Sequence, residues 1–149
     1  MDPIPDIRPA TPRDYPAVAD LLSGAGLPMA GLDETLPHAL VAVGTDGRVA
    51  GCVALELYGD IALLRSLAVA AALRGSGLGE RLAGEALRLA SSAGAHDVYL
   101  LTETAAGFFP RFGFIQEDRT LAPAPLKESV EFRSACPSSA VLMHLAVPA

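Results

Sequence analysis

Apolar and polar positions follow one another in a pattern that predicts a short strand and then a helix at the start of the chain. The strand is expected over residues 4–8, where prolines limit an apolar run. The helix should end near Ser23, because a glycine follows it. Its start is left open, since Thr11 and Asp14 are both suitable N-caps. The later cap places Pro16 in the first turn, where a missing N–H has little effect.

Three consecutive strands are predicted next, over residues 38–44, 48–58 and 61–69. Asp46-Gly47 between two apolar runs is typical of a hairpin turn, and Gly59-Asp60 provides a second turn. The three strands should therefore form an antiparallel meander.

The second half of the chain begins with a long helix. Apolar residues recur on one helical face over residues 77–93. Further strands are predicted over residues 97–102, 114–117 and 140–145, with a short helix through Phe108 and Phe109. This order predicts one α/β domain over residues 1–149, with a mixed, mostly antiparallel central sheet and flanking helices.

Composition narrows the class of protein. The chain has 149 residues, of which 51% are hydrophobic and 19% charged, and its net charge is −6. A globular domain is expected, and nucleic acid is not an expected partner because the chain has no basic stripe. The sequence shows neither a signal peptide nor an apolar stretch that could span a membrane, so a cytoplasmic protein is predicted. Cys52 and Cys136 lack metal-ligand spacing, so no metal is expected.

The strongest candidate for chemistry is a glycine-rich loop between the meander and the long helix. Its residues are Arg74, Gly75, Ser76, Gly77, Leu78 and Gly79. Glycines allow backbone N–H groups to turn toward one ligand, and the positive end of the following helix faces the same point. The loop therefore predicts a site for a phosphate or a pyrophosphate.

Four interpretations of this loop compete. A Walker loop is excluded, because Gly79 is followed by Glu80-Arg81 and not by Lys and Ser or Thr. A dinucleotide-binding fingerprint would need a glycine at Glu80 and a leading βαβ unit. The pattern R/Q-x-x-G-x-G/A of coenzyme A-dependent acetyltransferases is matched by Arg74, Gly77 and Gly79 without a gap. A glycine-rich turn that binds nothing is the fourth interpretation.

With this loop, the chain resembles the GNAT superfamily of N-acetyltransferases. Leu67-Ala68-Val69 is similar to the end of the family's strand before the loop. Residues 108–114 are similar to its second signature, an aromatic pair that leads into Gly-Phe. The resemblance implies a GNAT fold with a splayed pair of parallel strands, and acetyl-CoA as the co-substrate.

The resemblance also implies where acetyl-CoA lies. A bulge in the strand that ends at Val69 would separate it from the strand of residues 98–102, and pantetheine would hydrogen-bond to backbone near Leu67 and Val69. The pyrophosphate would lie on the N–H groups of the glycine loop. Further contacts with the cofactor are expected from Ala68, Thr102 and Phe109.

A narrower resemblance is to the arsenic-resistance-associated N-acetyltransferases. It is carried by short segments at residues 55–59, 63–66, 101–104 and 129–140. These proteins are similar to enzymes that acetylate amino-acid toxins with an arsenic or phosphorus acid group. The resemblance implies an amino acid, or an acidic amino-acid-like toxin, as the acceptor.

Transfer to an amine requires the neutral amine, and an amine with a pKa of roughly 9.5 is only about 1% neutral at pH 7.5. Glu56, in an otherwise apolar strand, is the first candidate base, and Glu103 is the second. Arg65 would bind an acidic group of the acceptor, because a guanidinium suits bidentate capture of such groups. Arg65 and Leu67 should leave the same face of the sheet. The alternatives are a solvent-exposed Glu56 and a structural ion pair between Glu56 and Arg65.

Phe109 stands where many family members have a tyrosine that protonates the leaving thiolate. Either no acid is used, or Ser66, Tyr99, Ser129 or Cys136 takes its place.

Three functions follow as hypotheses. The preferred one is an N-acetyltransferase for a small-molecule amine. The others are a protein N-terminal or lysine acetyltransferase, and an acetyl-CoA-binding domain without turnover. A homodimer is left open.

Overall fold

The computed structural model of the protein describes residues 5–27, 38–103, 105–129, 132 and 140–147. Seven strands form one sheet in the order β1-β2-β3-β4-β5-β7-β6. They are β1 (Asp6–Pro9), β2 (Ala39–Val43), β3 (Val49–Tyr58), β4 (Ile61–Val69), β5 (Asp97–Thr102), β6 (Ile115–Glu117) and β7 (Val141–Ala146). The pairing of β4 with β5 is parallel, and the other pairings among the described strands are antiparallel. The predicted fold class and the meander β2-β3-β4 are confirmed.

In the described part of the chain, α-helices accompany the sheet at α1 (Tyr15–Gly24), α2 (Leu78–Ser92) and α3 (Ala124–Lys127). Short 3₁₀ turns lie at Pro12–Asp14, Ala71–Leu73, Phe109–Phe112 and Arg119–Leu121. None of the helices in the described part of the chain is both long and apolar enough to cross a membrane.

The start of α1 resolves the choice between two caps in favour of Asp14. Thr11 precedes the 3₁₀ turn, and its backbone N–H donates to the Asp14 carboxylate over 2.7 Å. Asp14 is the N-cap residue of α1, so Pro16 falls in the first turn of the helix. Arg8 on β1 donates two hydrogen bonds to the same carboxylate. This network ties the first strand to the first helix.

The two longer helices pack on opposite faces of the sheet. On one face, Leu78, Leu82 and Ala86 of α2 join the main core cluster, which includes β3 and β4 side chains. On the other face, Val18 and Leu22 of α1 pack with a separate group from the strands. Each fully buried leucine contributes about 2 kcal/mol through the hydrophobic effect. The sheet therefore lies between the two helices, with α2 packed on β3 and β4.

Gly51 lies at a close approach between α2 and the sheet. A Cβ at this position would lie 2.8 Å from Leu82 Cδ1 and 3.2 Å from the carbonyl oxygen of Ala68. Glycine is therefore required here so that the helix can reach the strand that leads into the glycine loop.

Candidate active site

The parallel strands β4 and β5 are paired only over their first residues. The pairs are Ile61 with Asp97, Ala62 with Val98, and Leu63 with Tyr99. Beyond these pairs, β4 stays paired with β3 and β5 with β7. The two strands thus splay apart toward their C-terminal ends, which opens the sheet beside the glycine loop.

A bulge in β4 accompanies this splay. Ala54 of β3 faces Arg65 and Cys52 faces Ala68, so two residues of β4 occupy the space opposite one residue of β3. Ser66 has a φ of 62°, in the left-handed region that non-glycine residues rarely adopt. The Cys52 thiol donates a hydrogen bond to the carbonyl oxygen of Ser66 over 3.2 Å. The bulge expected near the end of this strand is therefore present at Ser66 and Leu67.

The prediction that Arg65 and Leu67 leave the same face of the sheet is wrong. Leu67 packs against the core cluster on the α2 side. Arg65 is opposite Ala54, and Leu55, the neighbour of Ala54, belongs to the α2 side. Because the bulge inserts one residue, the alternation of β4 is inverted after Arg65. Arg65 therefore faces away from α2.

The glycine loop leads directly into the N-terminus of α2. Gly75 and Gly77 have φ values of 83° and 88°, and Gly77 is the N-cap residue of the helix. A side chain would strain the backbone at either position. The first N–H groups of α2 have no partner within the helix and are available to an anion. Leu78 is buried in the core and anchors this end of the helix.

A cavity of about 690 Å³ lies between the splayed strands and the loop. Its volume is in the range of ligand-binding pockets. The predicted site residues that line it are Arg65, Leu67, Ala68, Val69, Arg74, Gly79, Thr102 and Phe109. Glu56, Gly75, Ser76, Gly77 and Leu78 are not among its lining residues. The side chains and backbone of most predicted cofactor contacts are thus brought to one place.

The charged residues that line the cavity among the described residues are three arginines. They are Arg65, Arg74 and Arg111. The chain as a whole has a net charge of −6. Guanidinium groups at a concave site favour an anionic ligand, although Arg65 and Arg111 each have a carboxylate partner.

Arg65 is held in place by Glu56. Its Nη1 donates to Glu56 Oε2 over 2.9 Å, and its Nε donates to Ser66 Oγ over 3.1 Å. The Glu56 carboxylate also accepts a hydrogen bond from the Tyr58 hydroxyl. The side chain of Arg65 is 1% exposed and that of Glu56 is 14% exposed. The predicted alternative, a structural ion pair between Glu56 and Arg65, is therefore confirmed. This ion pair holds the guanidinium of a residue that lines the cavity.

The other candidates for proton transfer are dispersed. Glu103 is exposed and is not a lining residue of the cavity. Of the residues proposed to replace the missing tyrosine, Ser66 lines the cavity. Tyr99 is stacked on His144, and the Ser129 hydroxyl donates to the Leu126 carbonyl. Cys136 lies outside the described residues.

Arg111 is a lining residue that the sequence analysis did not identify. It lies in the 3₁₀ turn Phe109–Phe112, and its guanidinium carbon is 4.5 Å from the centroid of the Phe108 ring. Its Nη1 is 2.6 Å from Glu80 Oε1, in the first turn of α2. The sequence feature that could have identified Arg111 is its position inside the second family signature, residues 108–114.

A second polar cluster lies on strands β5, β6 and β7. His144 Nε2 is 2.6 Å from Asp97 Oδ1, and His144 Nδ1 is 2.8 Å from Glu117 Oε1. Burial alone lowers the pKa of His144, but hydrogen bonds and charge interactions with both carboxylates outweigh it, so the pKa is raised. The Tyr99 ring stacks on the imidazole at 4.3 Å between centroids.

Solved structures resemble the whole fold. Rv2747 from Mycobacterium tuberculosis, in complex with CoA and NLQ, has a TM-score of 0.82 and 26% identity, covering 97% of this chain and 100% of that one. YhbS from Escherichia coli, in complex with CoA, has a TM-score of 0.64 and 28% identity, covering 77% and 72%. N-acetylglutamate synthase from Neisseria gonorrhoeae has a TM-score of 0.84 and 20% identity, covering 100% of this chain and 36% of that one.

Sequence comparison gives the family. An uncharacterized N-acetyltransferase of Chlorobaculum tepidum, CT2212, is 36% identical over 78 residues, which are 52% of this chain and 50% of that protein. The match thus spans about half the length of this curated relative. Residues 37–116, more than half of the chain, match the acetyltransferase (GNAT) domain. With the splayed strands and the glycine loop in place, the chain belongs to the GNAT family of acetyltransferases.

Proposed function

We propose that the protein is an acetyl-CoA-dependent N-acetyltransferase that acts on the amine of a small acidic molecule. The observation that carries the proposal is the cavity between β4 and β5, whose lining includes both Arg65 and, from the glycine loop, Arg74 and Gly79. Two solved relatives with more than 25% identity hold CoA.

In this proposal, the pantetheine part of acetyl-CoA binds alongside β4 in the way that an additional strand would. The backbone of Leu67 and Val69 lies where β4 has left β5, so pantetheine can pair with this strand edge. The Val69 carbonyl oxygen also accepts a hydrogen bond from Arg74 Nε over 3.4 Å. The pyrophosphate lies at the N-terminus of α2, where N–H groups and the helix dipole favour an anion. The thioester then points into the splay beside Arg65.

Arg65 binds the acidic group of the acceptor. A guanidinium fixed by Glu56 and Ser66 keeps its orientation, so little conformational entropy is lost when the acceptor binds. A guanidinium cation is a suitable partner for a carboxylate, a phosphinate or an arsonate. The acceptor class is therefore an amino acid or an acidic amino-acid-like toxin, as in the arsenic-resistance-associated acetyltransferases. Glu56 acts through Arg65 as a positioning residue.

The reaction starts from the neutral amine. Desolvation in the cavity disfavours the ammonium form of the acceptor, which lowers the pKa of the bound amine. The amine nitrogen attacks the thioester carbonyl, and the new oxyanion accepts a hydrogen bond from backbone N–H near Val69. The C–S bond then breaks, CoA leaves as the thiolate, and the surplus amine proton passes to water. A thiol pKa of about 8.5 allows the thiolate to leave without an acid at Phe109.

A thiol-release assay tests the proposal. The purified protein is mixed with acetyl-CoA and with separate panels of amino acids, acidic toxins and peptides, and free CoA is followed. Release with small acidic amines supports the proposal. Release with peptides only indicates a protein acetyltransferase, and acetyl-CoA binding without release in any panel indicates a domain without turnover; either result contradicts the proposal.

A further inference from the structure

Arg111 lines the cavity and contacts Glu80, which directly follows the glycine loop. The 3₁₀ turn that carries it is positioned by Phe108, whose Cζ would be 3.7 Å from a Cβ at Gly79. Gly79 and Arg111 both line the cavity. The turn is thus packed against the same helix end that is expected to hold phosphate.

The partner of Arg111 is an anion at this helix end. Glu80 follows Gly79 in the first turn of α2, and its carboxylate is 2.6 Å from Arg111 Nη1. The two side chains are 47% and 53% exposed. Exposed ion pairs contribute little to stability, so a stronger anion can replace Glu80 at low cost. Contact with the Phe108 ring keeps the guanidinium in position during such an exchange.

We propose that Arg111 is a second phosphate-binding side chain that leaves Glu80 and binds a phosphate group of CoA. This inference rests on the proposed function, since it concerns the same cofactor. Arg111 and Arg74 are then two cations that hold phosphate from separate segments of the chain. The Glu80 carboxylate competes with the phosphate for Arg111, and its negative charge repels the phosphate.

Two substitutions with opposite expected effects test the inference. Arg111→Gln should weaken acetyl-CoA binding about five- to tenfold, as expected for one charge-assisted contact. Glu80→Gln should strengthen binding about two- to fivefold, because it removes the competing anion. A merely structural ion pair would be broken by either change, and both variants would then weaken binding alike.

A matched control is present on the same helix. Arg88 and Glu85 form an exposed ion pair of 2.6 Å, and neither lines the cavity. Arg88→Gln and Glu85→Gln repeat the charge changes away from the cavity, and both should bind acetyl-CoA within twofold of the wild type. Dissociation constants are measured by calorimetry well below each variant's melting temperature.

A second titrant, 3′-dephospho-acetyl-CoA, identifies the phosphate. If Arg111 binds the 3′-phosphate, the Arg111→Gln effect disappears with this titrant; if it binds the pyrophosphate, the effect persists. Equal affinities of Arg111→Gln and Arg88→Gln for acetyl-CoA would overturn the inference, as would a weakening by Glu80→Gln. Failure of the wild type to bind acetyl-CoA would instead reject the proposed function.

Discussion

Arg65 and Glu56 form an ion pair of 2.9 Å across β3 and β4, yet only Arg65 lines the cavity. The carboxylate therefore orients the cation, and Arg65 is the member of the pair that lies at the cavity. In the proposed function this gives Arg65 the role in acceptor binding and leaves Glu56 to position it.

Arg65→Lys keeps the charge and removes the planar fork. We expect the KM for an acidic acceptor to rise about ten- to hundredfold, since a charge-assisted hydrogen-bonding partner is lost. The dissociation constant of acetyl-CoA should stay within twofold. Steady-state kinetics and calorimetry measure the two quantities, and an equal loss of both would reject the assignment of Arg65 to the acceptor.

Glu56→Gln distinguishes a positioning residue from a base. A positioning role predicts a higher KM for the acceptor with the acidic limb of the pH–rate profile retained. If Glu56 were the base, the substitution would lower kcat strongly and change that limb. The kcat profile from pH 6 to pH 9 decides between them.

Gly79→Ala should weaken acetyl-CoA binding by tenfold or more without loss of stability. A Cβ at Gly79 would make ordinary contacts, 3.7 Å from Phe108 Cζ and 3.8 Å from Val69 Cγ2, at the cavity wall. Alanine also has the better helix propensity. Gly84 lies on the same helix, and a Cβ there would meet nothing within 4 Å, so Gly84→Ala is the control. Similar affinities for the two variants would show that the loop does not approach the ligand.

Gly77→Ala should affect folding as well as binding. With a φ of 88° at Gly77, an alanine would be strained by about 1 kcal/mol. Denaturant unfolding should show this loss in Gly77→Ala and none in Gly79→Ala. Unchanged stability of Gly77→Ala would contradict the left-handed geometry of the loop.

His144 should make stability depend on pH. Its folded pKa is raised, so the stabilisation is fully present below the unfolded value of about 6.5 and is lost as pH rises through the folded pKa. His144→Asn should therefore cost more stability at pH 5.5 than at pH 9. Urea unfolding at both pH values gives the comparison, with Asp97→Asn and Glu117→Gln expected to reduce the pH dependence. An equal loss of stability in His144→Asn at both pH values would contradict this role of His144.

Asp14 should give stability the opposite pH dependence from His144. Hydrogen bonds from Arg8 lower its pKa to about 2, assisted by Thr11. Its stabilisation is present above the unfolded pKa of about 3.9 and is lost as pH falls through about 2. Asp14→Asn should cost about 2 kcal/mol at pH 7 and little near pH 2. Thermal unfolding at several pH values measures this, and Arg8→Gln should reproduce much of the effect.

Elements with strong periodicity or turn signals could be predicted from the sequence. The long helix was expected over residues 77–93 and is observed at Leu78–Ser92, because its apolar face and its flanking glycines agree. The hairpin around Asp46-Gly47 follows from turn chemistry alone. The first strand was expected over residues 4–8 and is observed at Asp6–Pro9, with residue 4 outside the described residues.

The family resemblance implied a bulge in β4, but its position, and with it the faces of the strand, could not be predicted from the sequence. Residues 61–69 contain no glycine or proline that would mark a bulge, and Ser66 takes the unusual φ that permits it. One inserted residue reverses the alternation, so Arg65 and Leu67 were expected together and are apart. The cluster of His144, Asp97 and Glu117 was missed for a related reason: it depends on the register of three strands that are distant in sequence.

Calorimetric titration of the wild-type protein with acetyl-CoA tests most directly whether the splayed cavity holds the acyl-thioester. The account predicts saturable one-to-one binding that Gly79→Ala weakens at least tenfold and Gly84→Ala leaves within twofold. No saturable heat, together with a melting temperature that millimolar acetyl-CoA does not raise, would contradict it.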